Sequence, residues 1–307
     1  MQRAYINSLY QLIQEDKDVI SVLSDSGTDY DEMLKREFPE QCINLGIAEE
    51  NLIGVAAGLA VGGKIPFVYT SGAFLAYRAY EFIRDDVCLQ NNNVKIVGMG
   101  SGLAWSTLGP SHHTLEDISA LRAIPNLLIL SPASPKELEE MVKFAYQYMG
   151  PVYIRMGMSK EREIYTESYQ FGIRTNIEIR EGSHIAVLTT GSIIEEVLLA
   201  KEILEKEGID IAIINVPCLK PFDEENIKCS AKKYTKVVSV EEHNIYGGLG
   251  SIISEIIAEN GLSIKLKRIG LQDCFAKGYG TIAEVREQNN LNAKAIAGSI
   301  KEFYKNE

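Results

Sequence analysis

Three short stretches carry side chains suited to chemistry. "LGIAEEN" (45–51) sets two adjacent carboxylates, Glu49 and Glu50, at the head of an Ala/Gly-rich run. A carboxyl group there can share a proton with a weakly basic nitrogen, and a buried setting favours that task. "GPSHHTLED" (109–117) holds two of only four histidines, His112 and His113, directly after a Gly-Pro-Ser turn. Histidines in a strand-end loop are candidates for proton transfer or for hydrogen bonds to substrate oxygens. The same stretch offers helix capping, with Ser111 or Thr114 as N-cap and Asp117 three residues after Thr114. Capping accounts for Thr114 and Asp117 but not for paired histidines. "FLAYRAYEFIRDD" (74–86) spaces Phe74, Tyr77 and Tyr80 three apart, which is nearly one face of a helix. Such a stripe packs a core or walls a pocket for a flat heterocycle. The tyrosine hydroxyls need partners that a dry core must supply.

Strands and helices must present these loops. "DVISVLSD", "IPFVYT", "VKIVGM" and "LLILSP" read as buried strands, with helical patterns at 2–15, 49–61, 74–90, 114–124 and 135–148. Continuous apolar strands separated by helices imply a parallel sheet, whose loops at the carboxyl ends of strands collect function. After "GPVYIRMG", residues 159–182 are charged and show no clean period. A second α/β unit follows: "HIAVLTTG", a helix at 193–206, "IDIAIINV", a helix at 223–232, "KVVSVEE", a helix at 249–259, "IKLKRIGL" and a helical stretch at 281–305. The expected class is α/β, with two doubly wound, mostly parallel-sheet domains at 1–160 and 183–307 and a linker at 161–182.

Bulk properties narrow the function. A chain of 307 residues suits two domains. A net charge of −11 argues against nucleic acid and anionic membrane surfaces as partners. "MQRAYINSLYQLIQEDKD" lacks the continuous apolar region of a signal peptide, and Leu52–Val61 is too short to span a bilayer. Cys42, Cys88, Cys218, Cys229 and Cys274 are scattered without a C-x-x-C, as expected of buried, reduced, inert thiols in a cytoplasmic protein. "TTGSIIEE" and "HNIYGGLGSIISE" put Gly-rich turns before helices, yet neither completes a G-x-G-x-x-G and no G-x-x-x-x-G-K-[ST] occurs. These turns are expected to be close-packed, so the chain is not expected to hold a nucleotide or diphosphate by itself.

"INLGIAEENLIGVAAGLAVGGKIPFVYTSGAFLAYRAYEF" and "LGPSHHTLEDISALRAIPNLLILSPASPKELE" resemble the pyrimidine-binding domain of transketolases and deoxyxylulose-phosphate synthase. "CLKPFDEE", "VEEHNIYGGLGS" and "GLQDCF" resemble the C-terminal domain of the same superfamily. The likeness covers nearly the whole chain. No Gly-Asp-Gly is present, the motif that in full-length relatives precedes an Asn holding the metal and diphosphate. The resemblance therefore implies the C-terminal subunit of a split transketolase. A partner subunit would supply the diphosphate-binding domain and its Mg²⁺ or Ca²⁺, in an α2β2 assembly built on a β–β dimer of pyrimidine domains.

The resemblance also assigns roles. Glu49, in Gly46-x-x-Glu49, would bond N1′ of the thiamine diphosphate aminopyrimidine and favour the tautomer whose N4′ deprotonates the thiazolium. Glu50 stands where relatives carry histidine or glutamine. Phe74, Tyr77 and Tyr80 would wall the pyrimidine. His112 would contact substrate oxygens and move protons, and His113, in place of a common glutamine, would line the same pocket. Arg155 would bind substrate, with Lys160 nearby. Three positions depart from ordinary transketolases: Gly100 and Leu108 stand for a histidine and an aspartate, and Met158 for a phosphate-holding basic residue. Lost polar groups change which substrates are discriminated, so the expected reaction is two-carbon ketol transfer on a modified sugar, nucleotide-linked or sulfonated for example. The alternatives are the β subunit of a 2-oxo acid dehydrogenase and a non-catalytic scaffold. The Gly-Pro-Ser-His-His loop and the aromatic stripe favour transketolase, and the presence of Glu49 and His112 weighs against a scaffold.

Overall fold

The computed structural model describes residues 1–25, 29–158, 161–165 and 169–306. Lys160 lies outside them. The first sheet takes β1 (Val19–Leu23), β2 (Cys42–Asn44), β3 (Ile65–Ser71), β4 (Lys95–Met99), β5 (Leu128–Leu130) and β6 (Val152–Met156). The second takes β7 (Ile177–Arg180), β8 (Ile185–Thr189), β9 (Ile211–Asn215), β11 (Lys236–Asn244) and β12 (Lys265–Leu271), while the short β10 (Cys218–Lys220) returns to the first. The orders are β10-β5-β6-β4-β3-β1-β2 and β12-β11-β8-β9-β7. Pairing is parallel except at two edges, β10 on β5 and β7 on β9. β1, β4, β6, β8 and β9 are buried at every position, as central strands covered on both faces are, with Lys95 and Arg155 buried among apolar residues in β4 and β6.

Helices cover both faces. On the first sheet lie α1 (Gln2–Glu15), α2 (Asp29–Glu37), α3 (Glu49–Val61), α4 (Gly72–Arg78), α5 (Tyr80–Phe82), α6 (Asp117–Arg122) and α7 (Pro135–Gln147), with a π-helical turn at Ile83–Leu89. On the second lie α8 (Ile194–Glu205), α9 (Glu224–Lys233), α10 (Leu249–Glu259), α11 (Ile282–Gln288) and α12 (Ala293–Lys305). One apolar cluster runs from α3 and α6 through Ile129 and Leu219 to α10, so the two halves share a core.

Several features differ from expectation. The helical stretch expected at 281–305 is two helices, α11 and α12. Residues 177–180, inside the stretch read as a linker, form β7. Its alternating burial reads as an edge strand, and an edge needs no continuous apolar run. Helix 74–90 is broken at Ala79, whose φ of −93° and ψ of 18° leave the α region. Among the described residues no helix is long and apolar enough to cross a membrane. The thiols divide: Cys42, Cys88 and Cys218 are buried, but Cys229 and Cys274 are exposed, against the expectation of burial for all five.

Candidate active site

In the first sheet β1 lies between β2 and β3, so the chain winds away from β1 in both directions. A crevice opens at the carboxyl ends of strands where winding reverses. Ser24 follows β1 and Thr70 stands near the end of β3, and their hydroxyls hydrogen-bond across the crevice. Here a cavity of about 200 Å³ is lined by Glu49, Phe74, Trp105, Leu108 and His112, with Asp25 and Met99.

Local chemistry delivers Glu49 to it. β2 ends at Asn44, whose side chain accepts the Gly46 amide hydrogen at 2.9 Å. Gly46 then turns at a φ of +73°, which glycine adopts without strain. α3 starts at once with Glu49, and an acid in a first turn complements the helix dipole. Glu49 is 1% exposed, and Arg78 at the end of α4 donates to its carboxylate. Arg78 also stacks on Phe74, with Cζ 4.8 Å from the ring centre.

His112 closes the other side. Its ring lies edge-on to Phe74 at 5.0 Å and to Trp105 at 6.5 Å. Nδ1 sits 3.0 Å from Ser111 Oγ, which leaves Nε2 for a substrate oxygen. Gly100 holds a φ of +80°, and a Cβ there would stand 2.1 Å from the Trp105 indole nitrogen. The indole thus fills the space that a side chain at position 100 would need. With Leu108 and Met99 it makes this wall apolar.

The other expected residues separate. Spacing by three drifts about 60° per step around a helix of 3.6 residues per turn. With the break at Ala79, that drift takes Tyr80 off the face of Phe74, and Tyr80 packs on the apolar core instead. Tyr77 braces the end of the histidine loop, donating to Glu116 Oε2 at 2.7 Å and accepting from the amides of Leu115 and Glu116. Of the three aromatics, only Phe74 lines the cavity with Glu49.

His113 turns the opposite way from His112, into a second cavity of about 350 Å³ with Tyr77, Leu115 and Phe275. It is 3% exposed, and among the described residues neither ring nitrogen has a hydrogen-bond partner. Burial pushes its pKa below the ordinary histidine value, with Glu242 opposing. Glu50 lies half-buried on α3.

Arg155 does not reach the cavity. It is 2% exposed, pairs with Asp117 at 2.9 Å, and donates to the carbonyls of Thr114 and Glu242. Its guanidinium is thus engaged by protein groups rather than facing the cavity. Asp117, which also accepts from Tyr153 at 2.9 Å, is thereby drawn from capping to ion pairing. Thr114 bonds the Gly100 carbonyl, and α6 starts without a side-chain cap. Met158 packs on the α1 side of the core. Sequence reasoning missed Arg78 and Trp105. Arg78 lies four residues after Phe74 on one helix, and Trp105 is the single tryptophan of the chain, so both left a signal.

A buried carboxylate beside a phenyl face fits a flat, weakly basic heterocycle such as an aminopyrimidine. The Gly-rich turn before α10 does not fit a diphosphate, because Glu241 already accepts the amides of Leu249 and Gly250 at 2.7 and 2.9 Å. Among the described residues no group of three or more His, Cys, Asp or Glu could hold a metal ion.

The profile "Transketolase, pyrimidine binding domain" matches residues 1–162, and "Transketolase, C-terminal domain" matches 175–296. An apulose-4-phosphate transketolase subunit of Actinobacillus succinogenes is 39% identical over 85% of this chain and 84% of its own length. A 6-deoxy-6-sulfo-D-fructose transketolase subunit of a Clostridium species is 34% identical over 98% of this chain and 94% of its own. A solved split-gene transketolase, an inactive β4 tetramer, superposes with a TM-score of 0.87 at 33% identity, covering 98% of this chain and 96% of that one. Campylobacter jejuni transketolase, at 19% identity and a TM-score of 0.80, shares the fold across 97% of this chain and 46% of its own. The subunit relatives and the solved split transketolase favour transketolase over a 2-oxo acid dehydrogenase subunit. The chain belongs to the transketolase family, with that family's pyrimidine-binding and C-terminal domains in one polypeptide.

Proposed function

We propose that this chain is the pyrimidine-binding subunit of a two-component, thiamine-diphosphate-dependent transketolase that moves a two-carbon ketol unit from a ketose to an aldose. The observation that carries the reading is the convergence of Glu49, Phe74 and His112 on one cavity at the winding reversal of the first sheet. Bound thiamine diphosphate supplies the nucleophilic carbon that takes up the ketol unit. Glu49 would hydrogen-bond the ring nitrogen N1′ of the aminopyrimidine, with the Phe74 ring beside it in the same cavity. His112 holds or releases a proton at Nε2 against a substrate oxygen. Tyr77 supports the histidine loop from outside the cavity.

The diphosphate and Mg²⁺ belong to a partner subunit, for which an α2β2 assembly is the natural form. Self-association through the pyrimidine-binding domain suits α3, which leaves Asn51, Gly58 and Val61 exposed on one side. The β4 tetramer of the solved relative supports it. The substrate is a modified sugar. Trp105 against Gly100, and Leu108, make the wall more apolar than the histidine and aspartate of ordinary transketolases, and the two subunit relatives are named for apulose 4-phosphate and 6-deoxy-6-sulfofructose. The test is reconstitution with the partner subunit, thiamine diphosphate, Mg²⁺ and a ketose donor. Transfer is expected from the mixture and from neither chain alone, and a mixture that binds no cofactor rejects the reading.

A further inference from the structure

The loop 100–116 carries Trp105, Leu108 and His112, and its neck is closed by two backbone hydrogen bonds between Gly102 and Thr114, of 3.0 and 2.9 Å. Both sides of that neck are held from the second sheet, by the carboxyl end of β11. Glu242 Oε1 accepts the Leu103 amide hydrogen at 2.6 Å. The Asn244 amide donates to the Leu115 carbonyl at 2.8 Å. Arg155 spans the two, donating to the carbonyls of Thr114 and Glu242 at 2.9 Å each. The approach is close enough that Gly102, at a φ of +63°, has no room for a side chain, since a Cβ would stand 2.8 Å from Glu242 Cγ.

We infer that Glu242 is a positioning residue, through which the second domain fixes the loop that places His112. Its other oxygen is anchored on α11, where Arg286 donates from Nη2 at 2.7 Å and from Nε at 3.1 Å. Both side chains are buried, at 3% and 5% exposure. A charge held at two points on regular elements is a rigid post, and a loop tied to it cannot drift. Glu242 does not line the Glu49 cavity, and its side chain meets the loop at the Leu103 amide. The catalytic consequence rests on the transketolase reading above, but the structural one does not.

Trp105 is the only tryptophan and sits on this loop, so its fluorescence reports the loop alone. In the isolated chain, Glu242→Gln is expected to raise acrylamide quenching of Trp105 about twofold while the far-ultraviolet circular dichroism stays unchanged, because loops open locally without global unfolding. In the reconstituted complex it is expected to lower kcat roughly tenfold or more, since a displacement of about 1 Å costs that much. Affinity for thiamine diphosphate is expected to be retained, because Glu49 and Phe74 stand on α3 and α4, outside the loop. Should the single variant not fold, Glu242→Gln with Arg286→Met removes the buried pair as a unit, leaves no lone charge, and predicts the same changes. Unchanged Trp105 quenching in a folded variant overturns the inference. So does raised quenching with unchanged kcat. If the wild-type complex transfers no ketol unit, the transketolase reading fails and the quenching result alone decides whether Glu242 positions the loop.

Discussion

One guanidinium group touches both parts of the proposed pyrimidine site: Arg78 donates to the buried carboxylate of Glu49 and lies over the ring of Phe74. The arginine is 41% exposed on its side chain and the glutamate 2%, so solvent screens only one partner. Replacing Arg78 by Met leaves a lone buried carboxylate. The expected loss is about 1–2 kcal/mol, less than for a pair buried on both sides. Urea unfolding of the isolated chain reads it, and adding Glu49→Gln to that variant is expected to recover part of the loss.

Leu108, exposed at the rim of the cavity, is expected to select against substrates that offer a hydroxyl in its place. Leu108→Asp supplies a hydrogen-bond acceptor. It is expected to raise kcat/KM for an ordinary pentose phosphate relative to a sulfonated or branched sugar, roughly tenfold for one added bond. Steady-state kinetics on both donors check this, and an unchanged ratio counts against Leu108 as a selector.

Two buried groups on β11 titrate in opposite senses. Burial pushes Glu241 up to about 7, against the bonds it accepts from α10. Burial pushes His243 down to about 4, with Asp117 opposing. A raised carboxyl contributes stability that is present below its unfolded value and is lost as pH rises through its folded value, here from about 4.5 to 7. A depressed histidine contributes stability that is lost as pH falls, here from about 6.5 to 4. The two slopes oppose between about pH 4.5 and 6.5. His243→Gln removes one of them, so its stability is expected to fall more steeply than that of the wild type as pH rises across that window. Denaturant midpoints at several pH values measure it, and parallel profiles contradict the assignment.

Much of this architecture is legible in the residues. The parallel strands announce themselves as apolar runs, and α1 and α3 end where their periods end. β7 and β10 are short edges whose positions depend on strands far away in sequence, so no local pattern marks them. Glu49 and His112 stand out because a carboxylate before a small-residue helix and paired histidines after Gly-Pro-Ser lack a bland explanation, and the structure puts both on one cavity. Arg155 takes a substrate role by resemblance alone, and its partner, Asp117, has a capping explanation of its own, so the sequence does not pair them. Only the fold brings the two together against β11. Arg78 left only its spacing of four from Phe74, and Glu242 is an ordinary surface type by sequence whose place the distances alone give.

The central claim is that Glu49 activates thiamine diphosphate, and one comparison addresses it directly. Turnover and cofactor affinity are measured for wild type and Glu49→Gln in the complex with the partner subunit. The amide keeps the size of the side chain and part of its hydrogen bonding but cannot share the proton. Turnover is expected to fall by about 10² or more, the usual worth of a positioned proton-transfer group, while cofactor affinity falls much less. Unchanged turnover in Glu49→Gln contradicts the account.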